Sequence, residues 1–508
     1  MLLPAALLLL PRRFWLRAVL GALLVSLALC LLGGAVKPIA TFYLLPTRAW
    51  ELLIGSAGAL LVSSPGSSRR IASSYVVRAL LFPSLALLLL LGAVPIGDRH
   101  PGTGAVLICL ATLFVILRRH EGFENSAITK GLARVGDISY SLYLVHWPII
   151  ALLKNAWVGQ EPELPLTLRL AALGTSFVAA YCLYRFIEDP IRKSRTRYTP
   201  ALLAKTGLVS VTLMAIAPTI IQASQGSVDF VEIRRVNYGL SMECEYEALF
   251  QPKADCSTGK DPKLLVWGDS FAMHLVPGLI AQLGTGGVVQ ATRSSCGPLL
   301  NLAPQQLKQG PGVIYDRAWA ESCIEFNQSV LDFARASPSI ETVVLSSALN
   351  QYVSKEWVHV MKSGGAVSAA TPSIENAVDG LRQTAAELRA AGKKVVLIAP
   401  PPSTGFNVGD CLERLLTGRI TFGAPEGCVI SADDYRVKRA SVLALMQSAE
   451  KLEIPVIRLS DFLCKGQTCA TMIDGTMVYR DNGHLSHDSS RLLAAQMNWA
   501  KLIEERAR

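Results

Sequence analysis

The sequence predicts a multi-span α-helical membrane domain followed by an α/β domain built on a parallel sheet. Three observations predict it. The chain of 508 residues is 51% hydrophobic and only 17% charged; its long apolar runs all lie before residue 223; and beyond residue 260 short apolar runs alternate with amphipathic helical stripes. So much apolar side chain with so few charges excludes disorder, collagen and a small disulfide scaffold. It requires either a very large core or lipid. The formal net charge of +10 would suit a nucleic-acid partner. The Lys and Arg residues instead cluster in short loops between apolar runs, a membrane pattern, and no nucleic acid is expected.

The apolar runs come at residues 16–36, 49–63, 76–96, 103–117, 138–153, 167–187 and 201–222. Several approach the ~20 residues needed to cross a bilayer core. A run from Leu2 to Leu10 is too short to span alone, and the six runs that follow 16–36 exclude a secretory signal followed by a soluble chain. Leu27-Ala28-Leu29-Cys30 resembles a lipoprotein cleavage site only superficially, because the residue before Cys30 is bulky. Alternate loops carry Arg12, Arg13 and Arg17; Arg69, Arg70 and Arg78; Arg118, Arg119, Lys130 and Arg134; and Arg185, Arg192, Lys193, Arg195 and Arg197. The opposite loops hold only Lys37, Arg48, Arg99 and Lys154. The positive-inside rule puts the first set in the cytoplasm, so the run at 201–222 exits outward and the rest of the chain is extracytoplasmic.

The cysteines point the same way. Cys30, Cys109 and Cys182 lie in apolar runs, where a small soft hydrophobe needs no function. Cys244, Cys256, Cys296, Cys323, Cys411, Cys428, Cys464 and Cys469 all follow the last run, as an oxidising compartment would produce. Of the 105 connectivities that eight cysteines allow, pairing of neighbours (244–256, 296–323, 411–428, 464–469) is expected because each closes a short loop. No Cys-x-x-Cys pair is present, and no metal site is expected.

In the second half the candidate strands are Leu264–Trp267, Val288–Ala291, Thr342–Leu345, Lys394–Ala399 and Pro455–Leu459. Ile374, Val378, Leu381, Ala385 and Leu388 form one helical stripe ended by Gly392. Val437 to Leu452 reads as another helix, and a last one starts near the N-cap Ser486. Strands alternating with helices imply a doubly wound parallel sheet covered on both faces, with ligands beyond the carboxyl ends of its strands.

Two such ends carry chemistry. Leu264 to Trp267 runs into Gly268-Asp269-Ser270, a sharp turn that lifts Ser270 clear of the sheet edge; alone, the tripeptide is a weak signal. Asp481-Asn482-Gly483-His484 stands just before the last helix. A serine hydroxyl needs a base to take its proton, and a carboxylate fixes the imidazole's tautomer. An isolated Asp-x-x-His could equally cap a helix. Its occurrence at the last strand of a sheet whose first strand ends in Ser270 favours catalysis. His274 and His487 are rival bases: His274 is expected at the site rim and His487 in the first turn of the final helix, neither with a carboxylate as well placed as Asp481.

Gly268-Asp269-Ser270-Phe271-Ala272-Met273-His274-Leu275 and the Asp481/His484 pair resemble blocks I and V of the SGNH hydrolase superfamily, most closely its members fused to membrane acyltransferases. The segment from Phe42 through Arg48 and Glu51 to Gly55 is similar to a signature of acyltransferase family 3. So are Gly136-Asp137-Ile138-Ser139-Tyr140 through His146-Trp147-Pro148, and Arg185-Phe186-Ile187-Glu188-Asp189-Pro190. The resemblance implies a partial family 3 membrane domain over 1–198, a last transmembrane helix and periplasmic linker over 199–260, and a three-layer, flavodoxin-like SGNH domain over 261–508. It implies O-acylation, commonly O-acetylation with acetyl-CoA as donor and no bound cofactor, of an extracytoplasmic glycan such as lipopolysaccharide O-antigen or other surface polysaccharide. The place implied is the bacterial inner membrane with the C-terminal domain in the periplasm.

By the same resemblance Ser270 is the nucleophile, His484 the base and Asp481 its partner, while Gly297 and Asn350 are candidate oxyanion donors. The family's membrane domain normally begins with further spans, so Met1-Leu2-Leu3-Pro4-Ala5 reads as the middle of that domain. His146 lies mid-span, where a polar group is costly and a functional or substrate-lining role is expected. Arg48 and Glu51 are three apart on one helical face; mutual pairing suffices to explain them, and they could also line an acyl or glycan path. Tyr140, Tyr143, Trp147 and Trp157 are expected as interfacial anchors. Two rival readings share the same residues: a membrane-tethered carbohydrate esterase, in which water takes the acyl group, and a non-catalytic scaffold that only binds glycan.

Overall fold

The structure is a computed structural model and describes residues 10–63, 65–93, 102–118, 126–159, 163–193, 228–283, 286–308 and 313–507, with a few more between 205 and 216. The apolar run at 201–222 therefore lies for the most part outside the described residues. The chain divides into two compact units, residues 1–140 and 141–508.

The first unit is helical, with its longer helices at Trp15–Val36, Leu45–Leu61, Tyr75–Ala93 and Thr103–Arg118. Trp15–Val36 packs along Leu45–Leu61, burying Trp50 completely among Cys30, Ile54 and Ala105. Ser26 Oγ donates to the Pro46 carbonyl at 2.6 Å and accepts the Trp50 N–H at 3.0 Å, which pins the two helices at their turn. Arg48 donates to both carboxylate oxygens of Glu51, each at 3.1 Å, and lies over the Phe42 ring. Glu51 also borders a cavity of about 370 Å³ beside Cys109. Among the described residues two helices are long and apolar enough to cross a bilayer, Arg12–Gly34 here and Leu166–Lys193 in the second unit.

The second unit opens with the helix Ser139–Ala156. Its Ser141 donates to Glu188 at 2.7 Å, and the wider π turn Tyr184–Glu188 brings that carboxylate round. The segment after Ala156 joins the C-terminal part: Val158 N–H donates to the Phe422 carbonyl at 2.9 Å, and the Asn407 N–H donates to the Val158 carbonyl at 2.8 Å.

Nine strands of the C-terminal part matter here: β1 (Leu264–Gly268), β2 (Val288–Thr292), β3 (Leu302–Gln306), β4 (Thr342–Ser346), β5 (Trp357–Ser363), β6 (Ala366–Ala370), β7 (Lys394–Ile398), β8 (Ile430–Ser431) and β9 (Val456–Ile457). Five form a parallel sheet in the order β2-β1-β4-β7-β9, with Gly268 level with Thr292 on one side and Ser346 on the other. Successive strand residues face opposite ways, and both faces are buried. Leu265, Trp267, Val343, Leu345, Val395 and Leu397 pack with the helices Arg317–Ala336, Ile374–Ala390 and Ala440–Lys451. Leu264, Val266, Val344, Val396 and Ile398 pack with Val276–Leu283, Val408–Leu416, His487–Met497 and Trp499–Arg506. A second sheet, β3-β5-β6, is antiparallel. Four disulfides join Cys244 to Cys256, Cys296 to Cys323, Cys411 to Cys428 and Cys464 to Cys469, while Cys30, Cys109 and Cys182 are free.

Candidate active site

The parallel sheet reverses its winding between β1 and β4, where doubly wound sheets open a crevice for ligands. β1 ends there in Gly268. A Cβ on this residue would stand 1.8 Å from the Ser346 carbonyl oxygen, so only glycine lets β1 leave the sheet so close to β4. The next residue, Asp269, is buried and caps the helix that follows, accepting the Phe271 N–H at 2.8 Å. Its second oxygen accepts from Ser347 Oγ at 2.5 Å, the Ala348 N–H at 3.1 Å and Gln351 Nε2 at 3.1 Å. Burial pushes this carboxyl up, while those four hydrogen bonds pull the other way. Asp269 thus ties the Ser270 turn to the loop after β4, and Ser270 begins the helix half-buried.

Ser270 Oγ lies 2.8 Å from His484 Nε2, and His484 Nδ1 lies 2.8 Å from Asp481 Oδ2. With Nδ1–H given to the carboxylate, Nε2 is left to accept the serine proton. The turn is self-supporting: Asp481 Oδ1 accepts the backbone N–H groups of Gly483 at 2.9 Å and His484 at 2.8 Å. Burial alone would raise the Asp481 carboxyl. The hydrogen bond and charge of His484, with Arg480 alongside, outweigh burial and hold it well below the usual carboxylate range. Gly409 supports the turn from behind; its N–H donates to the Asp481 carbonyl at 3.2 Å, and a Cβ there would stand 2.2 Å from the Arg480 carbonyl oxygen. From the far side Arg439 donates to the Ser403 carbonyl and hydroxyl, each at 3.1 Å, and Ser403 Oγ donates to the Asn482 carbonyl at 2.5 Å.

The oxyanion expectation needs correction. Gly297 is buried, and its N–H donates to Tyr352 Oη at 2.9 Å, so it is not free for a substrate oxygen. Asn350 is exposed. Leu349 takes a left-handed φ of 58°, which turns the chain so that Gln351 rather than Asn350 points inward, to Asp269, Ser347 and the Ser295 carbonyl. The Ser270 N–H has no acceptor among the described residues and is available instead.

His274 is also placed differently from expectation. It is buried beneath the site, not at its rim, and its Nδ1 accepts the Leu485 N–H at 3.3 Å. Burial, then the electrostatics of His484 and Arg480, hold its imidazole far below its ordinary pKa, so it stays neutral. Phe271 packs against both rings, 4.5 Å from His484 and 5.1 Å from His274 between centroids. His487 begins the helix His487–Met497, and among the described residues its nearest carboxylate is Asp488 Oδ1 at 3.9 Å. His146, by contrast, turns its Nδ1 to its own helix, 3.1 Å from the Leu142 carbonyl and 2.9 Å from that of Tyr143. Sequence reasoning missed Ser347, Gln351, Arg439 and Gly409, which touch the triad or its turns only through long-range contacts.

A serine, a histidine and an aspartate aligned at the carboxyl edge of a parallel sheet define the domain as a serine-hydrolase-like α/β module. The chain belongs to the family of SGNH domains fused to AT3 (acyltransferase family 3) domains, whose profile matches residues 243–498. O-acetyltransferase OatA of Staphylococcus aureus strain NCTC 8325 / PS 47 is 34% identical over 116 residues, which is 22% of this chain and 19% of that protein. The same enzyme from strain MRSA252 is 31% identical over 127 residues, 24% of this chain and 21% of that protein. The matched stretch therefore spans only about a fifth of either curated relative. Among solved structures, the periplasmic domain of a lipopolysaccharide acetyltransferase from Salmonella ser. Paratyphi A is 16% identical with a TM-score of 0.38, covering 55% of this chain and 99% of that domain.

Proposed function

We propose that the chain is a membrane-bound O-acyltransferase, in the first instance an O-acetyltransferase, that modifies an extracytoplasmic glycan such as lipopolysaccharide O-antigen or another surface polysaccharide. The observation that carries this reading is the unbroken line Ser270–His484–Asp481, with 2.8 Å at each step. Family membership and the relatives named O-acetyltransferase support acyl transfer over other serine chemistry.

In the reaction, His484 Nε2 takes the proton as Ser270 Oγ attacks the donor's acyl carbonyl, and Asp481 stabilises the imidazolium that forms. The Ser270 N–H faces the developing oxyanion. The imidazolium then protonates the leaving group, which departs with the proton and leaves an acyl-serine. A glycan hydroxyl gives its proton to His484 and attacks the acyl-serine, and Ser270 regains its proton as the sugar ester leaves. Water in place of the hydroxyl would give the esterase.

The helical part is read as a multi-span domain of the bacterial inner membrane, covering 1–198 with a last span and linker over 199–260. It draws the acyl group from acetyl-CoA, and the three-layer domain over 261–508 stands in the periplasm. Outward-facing Leu24, Leu32, Leu89 and Leu152, each more than 60% exposed, support a lipid setting. Arg48 and Glu51 are proposed to border the acyl path because Glu51 lines the cavity beside Cys109, and His146 is proposed to line the substrate route. The test is the ester content of surface polysaccharide from cells carrying the wild-type chain, Ser270→Ala, or neither. The reading requires acylation with the wild-type chain alone; equal ester content with Ser270→Ala overturns it.

A further inference from the structure

A cleft of the C-terminal part opens at the strand next to the one that leads to Ser270. It measures about 890 Å³, within the ~300–1,000 Å³ usual for ligand clefts. Its floor is the carboxyl end of β2, the strand next to β1 in the sheet: Arg293 and Ser294 line it, and the Arg293 N–H donates to the Gly268 carbonyl at 3.0 Å, two residues before the nucleophile. The lining residue Arg293 is thus one backbone hydrogen bond from the strand end that leads to Ser270.

One wall is the segment that enters the domain. The disulfide between Cys244 and Cys256 closes it, the Tyr246 N–H donates to the Thr292 carbonyl at 2.9 Å, and Thr292 Oγ1 donates to the Cys244 carbonyl at 2.9 Å. Glu243, Glu245 and Glu247 all line the cleft from this wall, and none of them forms an ion pair among the described residues. The facing wall carries Tyr315 and Trp319, whose rings meet edge to face at 4.9 Å and form a corner. Two cations also line the cleft, and Glu247 acts electrostatically on one of them, Arg293. Arg293 lies over Trp319 and donates to the Ser322 carbonyl at 2.9 Å and hydroxyl at 3.0 Å, and Lys253 Nζ donates to the Glu243 carbonyl at 2.6 Å.

Amphipathic rings on one side and carboxylates on the other match a ligand with apolar C–H faces and many hydroxyl donors. Three carboxylates against two cations leave the lining net negative, which disfavours uronate, phosphate or other anionic sugars. We propose that this cleft holds an uncharged stretch of the acceptor glycan, stacked on Tyr315 and Trp319 and hydrogen-bonded to the Glu243, Glu245 and Glu247 wall, and so selects neutral over anionic polysaccharide. The inference deepens the acyltransferase reading and rests on it for the presence of a glycan acceptor. The rigid, disulfide-closed wall presents the chain to Ser270 without a folding step on binding.

The experiment measures binding to the full-length chain in detergent micelles by calorimetry. The probes are cellohexaose, maltohexaose and chitohexaose, with hexagalacturonate as the anionic counterpart. At least one neutral hexamer binds, hexagalacturonate binds at least about tenfold more weakly, and Tyr315→Ala weakens the neutral complex by about tenfold or more. Glu247→Lys, at an exposed position, narrows the preference against hexagalacturonate while the unfolding midpoint stays within the spread of the wild type. Equal binding of hexagalacturonate, no binding of any neutral hexamer, or unchanged affinity in both variants overturns the proposal. Ester hydrolysis is read separately: if it proves independent of Ser270 while neutral binding still depends on Tyr315, the catalytic reading falls and the cleft stands.

Discussion

Replacing Asp481 with Asn is nearly isosteric, yet the turn around it dictates a specific failure. Asp481 Oδ1 accepts two backbone N–H groups, at 2.9 and 2.8 Å. In the variant the amide oxygen must stay there, because the NH₂ group would otherwise face two donors. The NH₂ then occupies the Oδ2 position, 2.8 Å from His484 Nδ1. Nδ1 becomes the acceptor and Nε2 carries the proton, so the imidazole donates to Ser270 and has no lone pair left to receive its hydrogen. A wrong tautomer in otherwise intact geometry lowers kcat by about 10⁴ in serine hydrolases, roughly 5 kcal/mol of barrier. Asp481→Ala, which leaves the tautomer free, is expected to be no worse than Asp481→Asn despite removing more atoms. The assay is hydrolysis of a small acetyl ester by the full chain in micelles, with the unfolding midpoint as a control for folding. Asp481→Asn within tenfold of wild-type kcat refutes the tautomer reasoning, as does an alanine variant far slower than the asparagine one.

Other expectations follow from neighbouring contacts. Gly409→Ala places a Cβ 2.2 Å from the Arg480 carbonyl oxygen, all against backbone, and so shifts the Asp481 turn; kcat should fall by about a hundredfold with little loss of fold, measured by the same ester assay and circular dichroism. Removing the Cys296–Cys323 bridge, which spans 27 residues, should cost about 3–4 kcal/mol, more than the ~2 kcal/mol for Cys464–Cys469 at a separation of 5, read by urea unfolding of each double alanine variant. Because the Asp481 carboxyl is held below its unfolded value of about 3.9, its stabilising contribution is present above that pH and is lost as pH falls toward the folded value. The stability gap between wild type and Asp481→Asn should therefore hold from pH 6 to about pH 4 and narrow below it in urea titrations.

Much of this architecture can be read from short-range signals. The five parallel strands stand out as buried apolar runs, and Gly268-Asp269-Ser270 and Asp481-x-x-His484 are compact enough to be seen in sequence. Each disulfide closes a short loop, so neighbour pairing reaches the arrangement the structure has. What is illegible depends on contacts far apart in the chain. The β3-β5-β6 sheet pairs Leu302 with Met361, and β3 ends in Pro304-Gln305-Gln306 without the apolar density that marks the central sheet. Gln351 displaces Asn350 from the site only because Leu349 adopts a left-handed backbone, and Tyr352 claims the Gly297 N–H from 55 residues away. His274 looks exposed at four residues past Ser270; it is buried because the chain folds back on it from both directions, the Leu485 N–H donating to its Nδ1 and Asn237 Nδ2 to its carbonyl. The acidic and aromatic walls of the glycan cleft carry no motif at all.

The central claim is that Ser270 is a nucleophile made reactive by His484. The most direct measurement is labelling of the full-length chain with a fluorophosphonate at neutral pH, read by peptide mass spectrometry. One adduct is expected, on the peptide bearing Ser270, and its loss in His484→Ala. An unlabelled Ser270, or labelling that proceeds equally well without His484, contradicts it.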